Sequence, residues 1–347
     1  MGFINHLSAD QQFVFFSFVK IVCVVVPLLF IVAYAVLVER KLSAFIQDRV
    51  GPNRVGPGGI WQPLADTFKF LLKEDYTPAH VRKVYFWLAP AITMVPALLT
   101  MAVIPFGSTM GKQRMVIADL NVGILYTFGI VSLGVYGIVL AGYAANSKYP
   151  FLGGIRSSAQ MISYEIAMGM SVIPLFLLVG SLNLGDVIGY QVSHGWLIRW
   201  QPLSFIIFLI AAFAETNRLP FDLPESEAEL VGGYHTEYSS MKFGLFFLGE
   251  YANMIASAGM MVTLFFGGWT LPFADLDQPA QDVAHGFLHI GIFLAKMLLL
   301  MLGVMWVRWM WPRFRYDQLM DLGWRRFIPL ALVNILVTAL ILWMKAK

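Results

Sequence analysis

Long apolar runs alternate with short polar stretches along most of this chain. About 20 apolar residues cross a bilayer core. Eight runs approach that length: 18–38, 84–106, 120–141, 161–180, 202–215, 244–268, 287–307 and 327–344. The fifth is short and ends at Glu215. Proline interrupts several runs (Pro27, Pro90, Pro96, Pro174), which membrane helices tolerate. The pattern is not one of alternating ten-residue segments, which argues against a β-barrel. It predicts an all-α integral membrane protein, a single polytopic domain over 1–347 built on about eight transmembrane helices. Residues 1–20 read as the lead-in to a retained first helix and not as a cleaved signal peptide.

Composition sharpens this picture. Hydrophobic residues make up 58% of the 347 and charged residues 13%, half the share typical of soluble domains. The net charge of +3 gives no reason to expect a nucleic-acid partner. Cys23 is the only cysteine, which excludes an internal disulfide, a cysteine-rich zinc site and an iron–sulfur cluster held by this chain alone. Lysine and arginine are unevenly placed. The loops 39–83, 142–160, 216–243 and 308–326 hold 17, and the opposite loops with both termini hold 5. The positive-inside bias puts the first set in the cytoplasm and both termini on the periplasmic side. No internal repeat is evident, which weakens an inverted-repeat transporter reading.

Two polar segments break the pattern. The first, 39–83, opens with Glu39-Arg40-Lys41, passes a Gly/Pro-rich turn at 51–59, and continues as an amphipathic stretch, Trp61 to Glu74. There Trp61, Leu64, Ala65, Phe68, Leu71 and Leu72 share one helical face, while Gln62, Asp66, Lys69 and Lys73 share another. That is the spacing of a helix lying in the membrane interface. Two readings stand: a simple surface anchor, or the lip of a lateral opening for a lipid-soluble ligand. The rigid turn favours the second. The glycines match neither a dinucleotide nor a P-loop fingerprint.

The second polar segment, 216–243, is acidic. From 216 to 240 it carries Asp222, Glu225, Glu227, Glu229 and Glu237 against Arg218 alone. Carboxylates this close in sequence are expected to raise one another's pKa and to hold protons near neutrality. Glu165, Glu215 and Glu250 lie within or at the ends of spans. A carboxylate there needs a partner or a water-filled cavity, and three at similar depth predict one shared polar cavity. Lys20 reads as structural or snorkelling, and Lys296 is open between structure and function. His285 and His289 have a ligand-like spacing but no third ligand, so no metal site is expected. Trp306, Trp309, Trp311 and Trp324 read as an interfacial belt.

Both polar segments resemble the signatures of a known family. Glu39-Arg40-Lys41 with Gln47-Asp48-Arg49-Val50-Gly51-Pro52-Asn53, and Ala214-Glu215-Thr216-Asn217-Arg218 with Pro220-Phe221-Asp222-Leu223-Pro224-Glu225-Ser226-Glu227-Ala228-Glu229-Leu230, are similar to the H-subunit family of NADH–quinone oxidoreductase, respiratory complex I. Its mitochondrial counterpart is subunit 1 of NADH dehydrogenase. Ser163-Tyr164-Glu165 extends the likeness. The resemblance implies an eight-helix membrane subunit of the bacterial inner membrane, or less readily of an organellar one. It also implies other complex I subunits and membrane lipid as partners, quinone as substrate, no cofactor on this chain, and FMN and iron–sulfur clusters on partner subunits. By the same resemblance, Arg40, Phe45, Arg49, Trp61, Ala65, Asp66, Phe68, Arg218 and Phe221 belong to the quinone chamber and its entrance. The entrance itself would be built from residues 18–38, 60–74 and 244–268. Glu165, Glu215, Glu225, Glu227, Glu229 and Glu250 would couple quinone reduction to proton translocation. The alternatives are a stand-alone ion transporter, the homologous subunit of a membrane-bound hydrogenase, and a structural anchor for a soluble enzyme.

Overall fold

A computed structural model of the chain describes residues 8–110, 113–224, 227–272, 276–280 and 282–346. Helix α1 (Ala9–Ile46) begins at Ser8, whose side chain and Gln11 form a capping box. It runs about 57 Å at 1.5 Å per residue, longer than a bilayer core. Sequence alone places Glu39-Arg40-Lys41 in a loop, yet the helix continues past them. No glycine or proline intervenes before Gly51, and the Glu39 side chain is buried against other elements. Charge ends the membrane-crossing part of this helix without ending the helix.

The turn that follows depends on glycine. Gly56, Gly58 and Gly59 all have positive φ. At Gly59 an added Cβ would lie 2.1 Å from the Pro52 carbonyl oxygen. The Lys41 ammonium donates to the Gly58 carbonyl and ties the turn to α1. Helix α2 (Gln62–Leu72) then packs against α1 and, later in the chain, against α9. Pro63 sits in its first turn, where a missing N–H costs nothing.

Helix α3 (Lys83–Thr100) leads to a small hairpin, β1 (Thr109–Met110) with β2 (Gln113–Arg114), paired antiparallel. Helices α4 (Gly123–Ala144) and α5 (Lys148–Val179) follow. They cross closely at Gly142, where an added Cβ would meet the Pro150 carbonyl at 2.6 Å. Helix α5 starts well before the predicted residue 161, because Pro150 falls in its first turn and is tolerated there. The sequence reading assigned no element to 184–194, which form the short helix α6 (Leu184–His194). Its signals are local: the Asn183 side chain caps Gly185 N–H at 2.7 Å, and Gly195 with φ 81° ends it.

Helix α7 (Pro202–Glu215) has the predicted bounds. The one-turn helix α8 (Glu227–Leu230) lies in the loop before α9 (Ser240–Phe265). Helix α10 (Val283–Val307) and α11 (Tyr316–Asp321) come next. A π-helical turn over Leu322–Phe327 joins α11 to α12 (Ile328–Ala346). Seven helical segments among the described residues are long and apolar enough to cross a membrane, and α7 is a shorter apolar helix. Together they make the eight expected segments of an all-α integral membrane protein.

Helix α9 is the axis of the bundle. Two-thirds of its apolar window is buried, against about a fifth for α1 and α12. It contacts α1, α2, α3, α6, α7 and α10, while α5 holds α4, α7 and α12. The outward faces of α1 and α12 are apolar, as lipid contact requires. Between α7 and α12 a polar clasp is closed internally. Gln201 donates to Thr338 at 2.9 Å, and Asn334 donates to Gln201 and Ser204 at 3.0 and 2.9 Å.

Gly59→Ala is expected to lower the thermal midpoint of the detergent-solubilised protein, because both its φ and its space forbid a side chain. Gly129→Ala on α4, where an added Cβ meets nothing within 4 Å, should raise it slightly, by about 0.5–1 kcal/mol of helix propensity. A tryptophan-fluorescence melt of the two variants checks both.

Candidate functional site

At one end of the bundle, four chain segments bring charges together in a buried cluster. Glu39 from α1 and Arg218 from the α7–α9 loop are each at least nine-tenths buried. The Arg218 Nη1 donates to both Glu39 oxygens at 3.1 Å, and its Nε lies 2.9 Å from Glu250 Oε1 on α9. Tyr251 donates its hydroxyl to Glu39 Oε2 at 2.6 Å, and its ring lies 4.3 Å below the Arg218 guanidinium. Arg308, just beyond α10, also pairs with Glu39. Two carboxylates and two guanidiniums thus balance in formal charge. Buried charges persist only when paired in this way. Burial opposes the Arg218 charge, but Glu250, Tyr251 and Glu39 outweigh it and raise its pKa above the ordinary arginine value.

Asp222 extends the cluster outward. It pairs with Arg313 at 2.9 Å. Burial raises its pKa, and Arg313 offsets part of that effect. Phe221 beside it is buried between Tyr164 and Phe314, with ring centroids 5.4 and 5.3 Å away. That is a packing position, which pins the loop to the core. Gln160 on α5 holds the same loop by donating to the Ala214 and Phe221 carbonyls, both at 2.7 Å.

The acidic segment is not a block of mutually repelling carboxylates. Glu229 pairs with Arg156 of α5 at 2.6 Å, and Glu237 lies 3.8 Å from His80. Other parts of the chain supply partners that a linear count misses. Glu225 lies outside the described residues, and so does the side chain of Glu227, which opens α8.

The three span carboxylates do not share one open cavity. Glu250 belongs to the ion cluster. Glu215 is buried and borders a cavity of about 30 Å³ with Thr100, Thr127, Asn253 and Ser257, enough for one water. Glu165, on α5, accepts from Ser132 of α4 and lies near enough for its charge to act on Glu215. Glu250, Asn253 and Ser257 are spaced along one face of α9, so a polar stripe runs from the ion cluster to the Glu215 cavity.

The first polar segment meets the cluster through adjacent residues of α1. Glu39 points inward to Arg218, while Arg40 pairs with Asp66 of α2 at 2.9 Å. Gln62 donates to the other Asp66 oxygen at 3.0 Å. Trp61 just before α2, Leu64 and Phe68 of α2 and Phe45 of α1 are exposed, so the apolar face of α2 turns away from the bundle. Ala65 is half-buried, and Arg49 donates to Gln47 at 2.7 Å on the surface. Glu39, Tyr251, Arg308 and Arg313 were not among the site residues expected from sequence. Glu39 directly precedes Arg40 in the first signature, and Tyr251 directly follows Glu250, so chain adjacency was the available signal.

The other unusual residues have structural employment. The Lys296 Nζ donates to the Phe266, Gly268 and Thr270 carbonyls at 2.7, 3.0 and 2.5 Å, closing the end of α9. The His289 Nδ1 lies 2.8 Å from Ser108 Oγ, beside Trp269. Lys20 is half-buried in α1.

An apolar bundle of spanning helices with a closed charge network at one end defines a polytopic membrane protein with buried ionisable groups. The NADH dehydrogenase family profile matches residues 19–339. The NADH-quinone oxidoreductase H subunit numbered 1 of Cytophaga hutchinsonii is 50% identical over 317 residues, 89% of this chain and 92% of that one. The H subunit numbered 1 of Geobacter metallireducens is 50% identical over 330 residues, 94% and 96% of the two chains. The H subunit of Rhodospirillum centenum is 51% identical over 320 residues, 92% of each. The chain therefore belongs to the NADH dehydrogenase family, as a membrane subunit of an NADH–quinone oxidoreductase complex.

Arg218→Met should destabilise the assembled complex by about 3–5 kcal/mol, because it leaves Glu39 and Glu250 short of a buried partner; a thermal melt followed by activity loss measures this. His235 yields a pH dependence. It lies in the loop before α9 among the Tyr234, Phe243 and Phe247 rings, and burial pushes its pKa down to about 4 from 6.5. Between those values the unfolded chain binds a proton that the folded loop refuses, so stability falls as pH drops from about 6.5 towards 4. His235→Phe should flatten that dependence in limited proteolysis of the loop at pH 7 and pH 5.

Proposed function

We propose that this chain forms the membrane-facing part of a quinone chamber and couples quinone reduction to proton translocation through its buried carboxylates. The whole chain acts as one membrane unit in a bacterial inner membrane, with both termini on the periplasmic side. The carrying observation is the juxtaposition of Glu39 and Arg40. Arg40 joins the entrance helices, and its neighbour Glu39 joins the ion cluster.

A long apolar quinone enters sideways between α1, α2 and α9, past the exposed ring of Phe68. Its headgroup is reduced at the cytoplasmic end, where peripheral subunits bring FMN- and iron–sulfur-derived electrons. This chain supplies no electron carrier of its own. Arg40 and Asp66 shape the mouth, and Arg49 faces the docking surface. Reduction adds negative charge to the headgroup, and proton uptake neutralises it. That change alters the balance among Glu39, Arg218 and Glu250. Close ionisable groups titrate as a unit, so the disturbance passes along the Asn253–Ser257 face of α9 to Glu215, and from Glu215 to Glu165. Glu225, Glu227 and Glu229 belong to the loop that receives the protons.

Glu215→Gln keeps the side chain's shape but cannot carry a proton. Coupled quinone reduction and proton pumping in membrane vesicles should fall by about a hundredfold or more, the usual scale for losing a positioned proton-transfer group, with the complex still assembled. Glu227→Gln should act in the same direction. Normal pumping in both assembled variants refutes the coupling role. The purified chain should not move protons or sodium in liposomes by itself; if it does, a stand-alone transporter is the better reading.

A further inference from the structure

At the opposite end of the bundle from the ion cluster lies a pocket of about 290 Å³. That is the low end for small-ligand sites, which combine an apolar lining with a few convergent polar groups. Its floor is made by Val103, Leu184, Ile188 and Trp269, all buried. Its rim carries Arg114, Asp119, Asp186 and Asp277. Three carboxylates against one guanidinium leave the described rim at a net charge of −2.

Depth identifies the class of ligand. Val103 follows the end of α3 at Thr100, Leu184 follows the end of α5 at Val179, and Trp269 follows the end of α9 at Phe265. A pocket only a few residues beyond three spanning helices sits in the headgroup layer of the bilayer, which adds about 5–8 Å on each side of the hydrocarbon core. Helix α6 forms one wall and ends beside the aromatic pair Tyr190 and His194, stacked at 4.2 Å. Aromatic groups gather at that depth.

The rim is built from fixed parts. Arg114 pairs with Asp119, which also accepts from Asn183 at 2.7 Å. Asp186 accepts from Ser181 at 2.6 Å and, among the described residues, has a free oxygen edge in the first turn of α6. We propose that this pocket holds the head of a zwitterionic phospholipid of the ethanolamine type. The ammonium faces Asp186 and Asp277, the phosphate faces Arg114, and the apolar floor receives the glycerol end. The net negative rim selects against anionic headgroups. No bond is made or broken. The lipid seats the three loops that close this end, at a distance from the carboxylate path.

Two variants of the assembled complex test this. Asp277→Asn removes a rim charge. Gly189→Trp fills the pocket, since an added Cβ at Gly189 meets nothing within 4 Å. The complexes are washed in detergent, incubated with vesicles of equal phosphatidylethanolamine and phosphatidylglycerol, re-isolated, and their retained lipids counted by mass spectrometry. Wild type should retain one more phosphatidylethanolamine than Gly189→Trp. Asp277→Asn should weaken that retention roughly tenfold, the scale of one charge-assisted hydrogen bond. Phosphatidylglycerol should be unchanged in both, and NADH oxidation should continue. Equal phosphatidylethanolamine in all three complexes overturns the proposal, as does a preference for phosphatidylglycerol or a neighbouring protein's side chain seated in the pocket. These outcomes leave the quinone and proton roles untouched, so the two readings fail separately.

Discussion

The end of the bundle that holds the ion cluster is organised by one requirement: a guanidinium taken out of water must find carboxylates. Arg218 meets it with Glu39 from α1 and Glu250 from α9. Those partners come from distant parts of the chain, so the pairing fixes how α1, the α7–α9 loop and α9 stand together. Buried ion pairs are weak sources of net stability, because desolvation offsets most of the Coulomb gain. Their value here is geometric. A bundle of apolar helices in lipid has little to choose between packings, and a buried salt bridge rejects any register that leaves a charge alone.

The same cluster makes neighbouring segments interdependent. Glu39 and Arg40 are adjacent on one helix and pair with different segments, so α1 stands between Asp66 of α2 and Arg218. Tyr251 is both a hydrogen-bond donor to Glu39 and a ring beneath Arg218. Glu250, Asn253 and Ser257 then carry polarity down α9 to the small cavity at Glu215. Between these points the helices are packed and apolar. In such a setting the places where hydroxyls and amides lie beside buried carboxylates are few, and here they fall on α4, α5, α7 and α9.

The acidic loop teaches a narrower lesson. Read as a string, residues 216–240 carry an excess of negative charge on the side where positive charge belongs. Folded, Asp222 meets Arg313, Glu229 meets Arg156 and Glu237 approaches His80. These partners come from three other parts of the chain: the stretch after α10, helix α5 and the stretch before α3. A charge count within one loop is therefore a poor guide to its field, while a count over all loops of one side, at 17 basic residues, anticipates the pairing.

Sequence by itself determined the class of protein, the number of helical segments and nearly every span. Hydrophobic length and the absence of water in a bilayer leave the backbone no alternative to helix. It also marked Glu165, Glu215 and Glu250, because a charge inside an apolar run is costly wherever the run ends up, whereas Arg218 was marked only by the family resemblance. It could not separate Glu215, which borders a cavity, from Glu250, which is locked in an ion pair. Phe221, expected at the chamber by resemblance, is buried between Tyr164 and Phe314. Helix α1 runs on through Glu39-Arg40-Lys41 because Arg218, far away in sequence, neutralises Glu39. Those distinctions rest on contacts between segments far apart in the chain, and only tertiary packing brings such residues within the roughly 3 Å of a hydrogen bond that decides which carboxylate is paired.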